Sequence, residues 1–186
     1  MKDLKEFDIS FIGLKEGKHR FEYRIEKAFF DFFEYEEFFN SDVVVDLCFH
    51  KKASLFELSF AFDGWTEVAC DVSNELFHQQ VDATLDLVVK FGDSFNDENE
   101  EILVIPHGEF KINVAQYIYE AIVLSMPLKK IHPGLNDGSL KTDVLKKLKE
   151  FEPTDIEDKN SNSEIDPRWE KLKEILTDKN IDNGTS

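Results

Sequence analysis

Apolar and polar residues alternate through the first half of the chain, and such alternation is typical of half-buried β-strands. The pattern runs through residues 7–11 and again through 21–25, on either side of the turn-forming sequence EGKH around Gly17. These two segments predict a hairpin. The next segment, KAFFDFFEYEEFFNSD, is rich in phenylalanine, and its aromatic side chains fit either a short helix or an extended chain.

A second group of alternating segments predicts the main sheet. The segments are DVVVDLCFHK, SLFELSFAF, GWTEVACDV and QQVDATLDLVVKF. A short KKA connection joins the first two, and Asp63-Gly64 stands between the second and third as a strong hairpin signal. We therefore predict an antiparallel sheet that curls into a barrel or half-barrel.

The pattern changes in the second half of the chain. The acidic segment GDSFNDENEE predicts a mobile loop, and EILVIP predicts a short strand. In NVAQYIYEAIVLSMP the apolar residues follow helical spacing, Asn113 and Gln116 have the spacing of a capping box, and Pro127 ends the helix. The segment TDVLKKLKEF, with Thr142 as N-cap, predicts another short helix.

These patterns predict an α+β fold, an antiparallel curved sheet or half-barrel with a few helices mainly in the C-terminal half. We assign residues 1–151 to a single α+β domain and residues 152–165, rich in Pro, Asp, Asn and Ser, to a flexible linker. Asp166 and Pro167 suit the start of a C-terminal helix over residues 166–177. The remaining residues 178–186 are expected to be a disordered tail.

Composition favours a folded protein of the cytoplasm. Hydrophobic residues make up 41% of the chain and phenylalanine alone contributes 18 residues, which is enough apolar surface for a core. The first residues mix charges among apolar positions, unlike a signal peptide, and no run reaches the ~20 apolar residues that cross a bilayer. We expect the two cysteines to be buried or half-buried thiols.

The charge of the chain argues against an ordinary nucleic-acid-binding surface. Its formal net charge is −17, whereas proteins that bind phosphates usually present a basic face. Charge is nevertheless uneven, because six lysines stand against two acids between Pro127 and Lys149. Acids concentrate instead in residues 31–42 and 93–101.

No motif of an enzyme is present in the sequence. The patterns GxGxxG, GxxxxGK, GxSxG and HExxH are all missing, so we expect no catalytic residues, no cofactor and no small-molecule substrate. Cys48 and His50 share one face of a strand, and Cys70 on a later strand would add a third zinc ligand. The simpler interpretation is that the cysteines pack in the core, and we expect no metal.

The phenylalanines allow two interpretations. Exposed aromatic side chains on a sheet can stack on unpaired RNA bases. Phenylalanine at every second position is more often part of a core, and the sequence lacks the aromatic signature of RNA-recognition sheets.

Three segments, in this order, resemble the YceD family of large ribosomal RNA subunit accumulation proteins: VACDVSNELF, EILVIPHGEFKINVAQYIYEAIVLSMPLKKIHP and DPRWEKLKEIL. The resemblance runs from about Cys70 to Leu176. Cys70, Glu120 and Pro127 stand at family positions, and so do Lys129 and His132 of the helix motif.

The chain departs from the family pattern at its second cysteine. Ser73 stands where typical members complete a Cys-x-x-Cys, and the cysteine that many relatives carry after His-Pro is absent. Because a serine hydroxyl is a poor zinc ligand, a metal role suspected in relatives is not essential here.

The resemblance implies a non-enzymatic role in the synthesis, processing or stability of large-subunit (23S) ribosomal RNA. Because no apolar run is long enough to cross a bilayer, we expect no membrane partner. Two mechanisms stay open. In one, basic residues contact RNA or another partner, and these are Lys129, Lys130, His132, Lys146, Lys147 and Arg168. In the other, the acidic surface binds and escorts a basic large-subunit ribosomal protein.

Overall fold

The computed structural model describes residues 4–99, 101–136, 138–140 and 143–151. The described elements, in chain order, are a 3-10 helix at Leu4–Phe7, β1 at Asp8–Ser10, β2 at Gly17–Glu26, α1 at Lys27–Asp31, β3 at Asn40–Lys51, β4 at Leu55–Ala69, β5 at Leu76–Gly92, β6 at Asn96–Asn99, β7 at Ile102–Pro106, β8 at Lys111–Asn113, α2 at Ala115–Leu124, α3 at Pro133–Asn136 and α4 at Asp143–Phe151. The chain divides into two compact units, Met1–Leu145 and Lys146–Ser186. The linker, C-terminal helix and tail predicted over 152–186 lie outside the described residues.

The α+β class is confirmed, with strands predominating over helices. Six strands form one sheet in the order β2-β3-β4-β5-β7-β6, and β1 with β8 forms a second, two-stranded sheet. Neither sheet closes into a barrel over the described residues, and the curvature of the large sheet stays a prediction. The large sheet is also mixed rather than purely antiparallel, because β7 runs parallel to β5.

The predicted hairpin of residues 7–25 is wrong, although both of its strands exist. β1 pairs with β8, so that Asp8 lies opposite Asn113, while β2 pairs along its whole length with β3. Alternation specifies that a segment is a half-buried strand, but it carries no information about the partner strand. The predicted acidic loop is also partly wrong, because Asn96–Asn99 forms β6 against β7.

The predicted turn at Asp63-Gly64 is wrong as well. β4 continues through it for 15 residues, and Gly64 lies opposite Val43 of β3. Gly64 has φ +152°, and a Cβ at this position would come within 2.2 Å of the Asp42 carbonyl oxygen. The glycine is therefore needed for the close approach of two backbones and not for a turn.

The predicted helices agree with the structure more closely than the predicted strand pairings do. α1 forms within the phenylalanine-rich segment, and α2 forms where helical spacing predicts it. The predicted capping box is absent, because the helix is capped by Val114 without a side-chain hydrogen bond. The Asn113 side chain accepts the Ala115 amide at 3.0 Å, and Gln116 donates to Glu120. α4 confirms the predicted short helix, whose predicted cap Thr142 lies outside the described residues. The four-residue helix α3 was not predicted.

The core lies on one face of the six-stranded sheet. Alternate residues of β3 and most alternate residues of β4 are buried there, from Ser41 to Phe49 and from Phe56 to Val68 with Gly64 half-buried. α2 packs on β5, and the β1–β8 pair adds Ile9 and Ile112. Most phenylalanines belong to this core, as in Phe30, Phe49 and Phe60, each no more than 2% exposed. Burial favours the core interpretation of these aromatic residues over base stacking.

Candidate functional site

The end of β4 folds into a tight turn around the first motif cysteine. Cys70 donates its amide to the Glu75 carbonyl at 2.9 Å and accepts the Asn74 amide at 2.8 Å. Asn74 adopts a left-handed conformation with φ 60°, which asparagine tolerates better than most residues. The turn therefore closes back on Cys70 and places its side chain inside the protein.

Cys70 is 2% exposed, and its thiol lies among hydrogen-bond donors. The His132 amide donates to its Sγ at 3.3 Å. Burial opposes ionisation, but hydrogen bonds from the Ser73 hydroxyl and from the amides of His132, Ser73 and Val72 outweigh it and lower the pKa of Cys70 from 9.0 to about 7. Ser73, at the family's second cysteine position, thus supports the sulfur of the first.

His132 joins the turn to the segment that follows α2. Its Nδ1 accepts the Gly134 amide at 2.9 Å, and its ring lies edge-on to Phe77 with centroids 5.5 Å apart. Together with the bond to Cys70, these contacts hold His132 as a half-buried turn residue, and its predicted contact with RNA or a partner stays a prediction.

Lys130 is held from three sides. Its amide donates to the Asp71 carboxylate at 2.6 Å, its carbonyl accepts the Asp71 amide at 2.9 Å, and its Nζ pairs with Glu37 at 2.9 Å. The Lys130 side chain is only 21% exposed, and the hydrogen bond from its Nζ lowers the pKa of the Glu37 carboxyl. The charge of this lysine is therefore already matched by a carboxylate.

The structure brings Cys70, Lys130 and His132 together in one junction, beside a cavity of about 370 Å³ that includes Glu37 and Ser73 in its lining. The other predicted positions contribute none of the hydrogen bonds described above. Lys129 and Pro127 are exposed, Glu120 is exposed on α2, Lys146 and Lys147 are exposed on α4 in the second unit, and Arg168 lies outside the described residues.

The three residues considered for zinc are not grouped. Cys48 and His50 lie on the outer face of β3, where His50 Nδ1 is 3.3 Å from Glu57, whereas Cys70 is buried at the junction. Within the described ranges, no three His, Cys, Asp or Glu side chains are placed to hold a metal ion.

The outer face of the six-stranded sheet is an acidic surface that the sequence patterns did not identify. Two of its acids are neutralised, because Arg20 and Arg24 form two-bond ion pairs with Asp46 and Asp42. Three further exposed acids lie on the adjacent strands β4 and β5: Asp63, Asp82 and Asp86.

The register between β4 and β5 makes this face acidic. Asp63 lies directly opposite Asp82, and like charges in such a cross-strand pair are destabilising. A shallow depression of about 660 Å³ runs across the same face, lined in part by Ser59, Thr84 and Asp86. Sequence marks these positions as polar, but only the pairing of β4 with β5 places the acids side by side. We call this surface, Asp63, Asp82 and Asp86, the acidic sheet face.

None of the described helices is long and apolar enough to cross a membrane. Among comparisons with known proteins, a family model described as "Large ribosomal RNA subunit accumulation protein YceD" matches residues 58–176. No curated protein and no solved structure matches the chain. The matched region includes most of β4, the Cys70–His132 junction and all of α2.

Proposed function

The chain belongs to the YceD family, and from this we propose that it is a cytoplasmic, non-enzymatic accessory factor in the accumulation of large-subunit ribosomal RNA. Within that role, we propose that it binds and escorts a basic protein of the large subunit. Protection of the RNA then follows from timely delivery of that protein during assembly.

The acidic sheet face carries this proposal. Over the described chain, Asp63, Asp82 and Asp86 form no ion pair, so their charge is available to a partner. An overall charge of −17 attracts a cationic protein and speeds its encounter by electrostatic steering. The same charge repels the phosphates of RNA, which a direct binder must neutralise.

Exposed lysines favour a second candidate, direct contact with RNA. Lys129, Lys146 and Lys147 are exposed, although Lys130 of the same segment is already paired with Glu37. If these lysines bind phosphates, changing Lys129 and Lys147 to glutamate weakens binding and reduces its dependence on salt.

Retention of partners from cells separates the two candidates. The tagged full-length chain is recovered at low salt from its source cells, with and without ribonuclease, and the retained RNA and proteins are identified. Retention of a basic large-subunit protein that survives ribonuclease supports the escort role. Large-subunit RNA that is lost with ribonuclease and with the Lys129→Glu/Lys147→Glu change supports direct contact, and recovery of neither contradicts the proposed role.

The non-enzymatic part of the proposal has its own test. Purified protein is incubated with large-subunit RNA, with and without divalent metal ions, and the RNA is followed by electrophoresis. We expect intact RNA throughout. Cleavage that copurifies with the protein would show that it is a nuclease.

A further inference from the structure

We propose that a groove beside α2 anchors the basic partner by taking up apolar side chains from a lysine- or arginine-rich segment of it. This inference rests on the proposed function and locates its binding site. The groove consists of two adjoining cavities of about 290 and 360 Å³. Both cavities are lined by Asp97, Leu103, Gln116 and Tyr117, so they form one continuous surface, which we call the α2 groove.

The α2 groove has an apolar lining that extends into exposed side chains. Buried Leu87, Leu103 and Ile105 line it from the sheet. Phe95 lines one cavity at 58% exposure, and Leu124 lines the other at 82% exposure. Large apolar side chains in water beside a cavity favour a partner that covers them with apolar groups of its own.

The rim of the groove is acidic. Asp97, Glu109 and Glu120 are exposed there. Lys111, the one lysine in the groove's described lining, is paired with Asp8 at 2.6 Å. Cationic side chains of a partner can therefore contact carboxylates around the apolar lining of the groove.

Tyr117 lines the groove, and the pKa of its phenol reflects the same apolar and acidic surroundings. Its burial raises the pKa of its phenol to about 12, and the nearby negative charges of Asp97 and Glu120 add to this rise. The carboxylates of Asp97 and Glu120 also repel the phosphates of RNA. Beside an apolar lining, they favour a segment in which lysine or arginine alternates with apolar residues.

The α2 groove and the acidic sheet face are expected to act at different stages of binding. Exposed charges mainly set the rate of association, because they act before contact. Buried apolar contacts mainly set the rate of dissociation. Changes in the groove should therefore speed release of the partner, whereas changes on the acidic sheet face should slow its capture.

The test measures binding kinetics of the full-length chain with a fluorescent synthetic peptide of lysine and leucine. The variant Phe95→Ser/Leu124→Gln removes the two exposed apolar side chains from the groove. The matched control Phe110→Ser/Leu128→Gln removes the same residue types from positions outside the lining, which are 52% and 106% exposed. We expect dissociation about tenfold faster for the groove variant and within about twofold of wild type for the control.

Two further comparisons separate apolar anchoring from charge. A peptide with every leucine replaced by serine keeps its charge and should bind wild type at least about tenfold more weakly. The Asp63→Asn/Asp82→Asn variant should slow association and leave dissociation unchanged. Equal losses in the groove variant and its control, or equal binding of the two peptides, would overturn the inference. Circular dichroism of each variant verifies that it is folded.

The groove and the proposed function can fail separately. If wild type and the groove variant retain the same basic large-subunit protein from cells equally well, the escort role stands and the groove is not its anchor. If wild type binds the lysine–leucine peptide as expected but retains no large-subunit component from cells, the groove binds basic segments and the proposed function is wrong.

Discussion

The hydrogen bonds to the Cys70 sulfur predict a specific change in its acidity. Ser73→Ala removes the hydroxyl that donates to this sulfur. A hydrogen bond to a charged group contributes ~1.5 kcal/mol, and one pKa unit corresponds to ~1.4 kcal/mol. We therefore expect Ser73→Ala to raise the pKa of Cys70 by about one unit from its value of about 7.

The same acidity makes the stability of the protein depend on pH. The pKa of Cys70 is about 7 in the folded protein and 9.0 without its surroundings, so the thiolate contributes fully above about pH 9. That contribution is lost as pH falls through about 7. Two pKa units correspond to ~2.7 kcal/mol, and screening by water near the exposed turn reduces the expected gain between about pH 7 and 9 to ~1–2 kcal/mol.

Both effects are measurable in a Cys48→Ser background, in which Cys70 is the one remaining cysteine. The ultraviolet absorbance of the thiolate reports the pKa, and urea unfolding at several pH values reports the free energy of unfolding. Ser59→Ala is the matched control, because Ser59 lies opposite Cys48 on the outer face. A Cys70 pKa near 9 in the parent protein, or no rise in Ser73→Ala, would refute the reasoning that hydrogen bonds outweigh burial here.

Three substitutions test the packing of the fold, each followed by urea unfolding. Gly64→Ala places a Cβ against the backbone of β3 and should lower the free energy of unfolding by ~3 kcal/mol or more, whereas Gly108→Ala, with open space around it, should change it by less than about 1 kcal/mol. Lys130→Ala should lower the free energy of unfolding by ~1 kcal/mol, because it removes a half-buried aliphatic stem and an ion pair. An equal loss in Lys129→Ala, at an exposed lysine, would show that burial does not distinguish the two residues. Phe30→Ala should cost ~3–5 kcal/mol, and a loss under about 1 kcal/mol would place this fully buried ring outside the core.

The sequence by itself determined most of the local elements. Alternation located β2, β3 and β5, and helical spacing located α2 and α4. These patterns are readable because the two faces of a strand or helix meet different surroundings, so the period appears directly in the residues. The order of the motif segments likewise indicated the family whose sequence model matches residues 58–176.

Errors in the sequence analysis share one physical cause. Gly64 has the sequence of a turn, but the close approach of β3 explains it better. Residues 7–11 have the alternation of a hairpin strand, but β1 pairs with β8 and not with β2. In each case the deciding neighbour is distant in the chain, and local propensity contains no information about it.

Tertiary structure alone decided which residues meet. It placed β1 against β8, set β7 parallel to β5, and put the donors of residues 72, 73 and 132 around the Cys70 sulfur. It also set Asp63 beside Asp82 and opened the α2 groove between segments that are separate in sequence. Residue type supplies charge and hydrophobicity at each position, but a binding surface depends on strand pairing and register, which only the folded chain specifies.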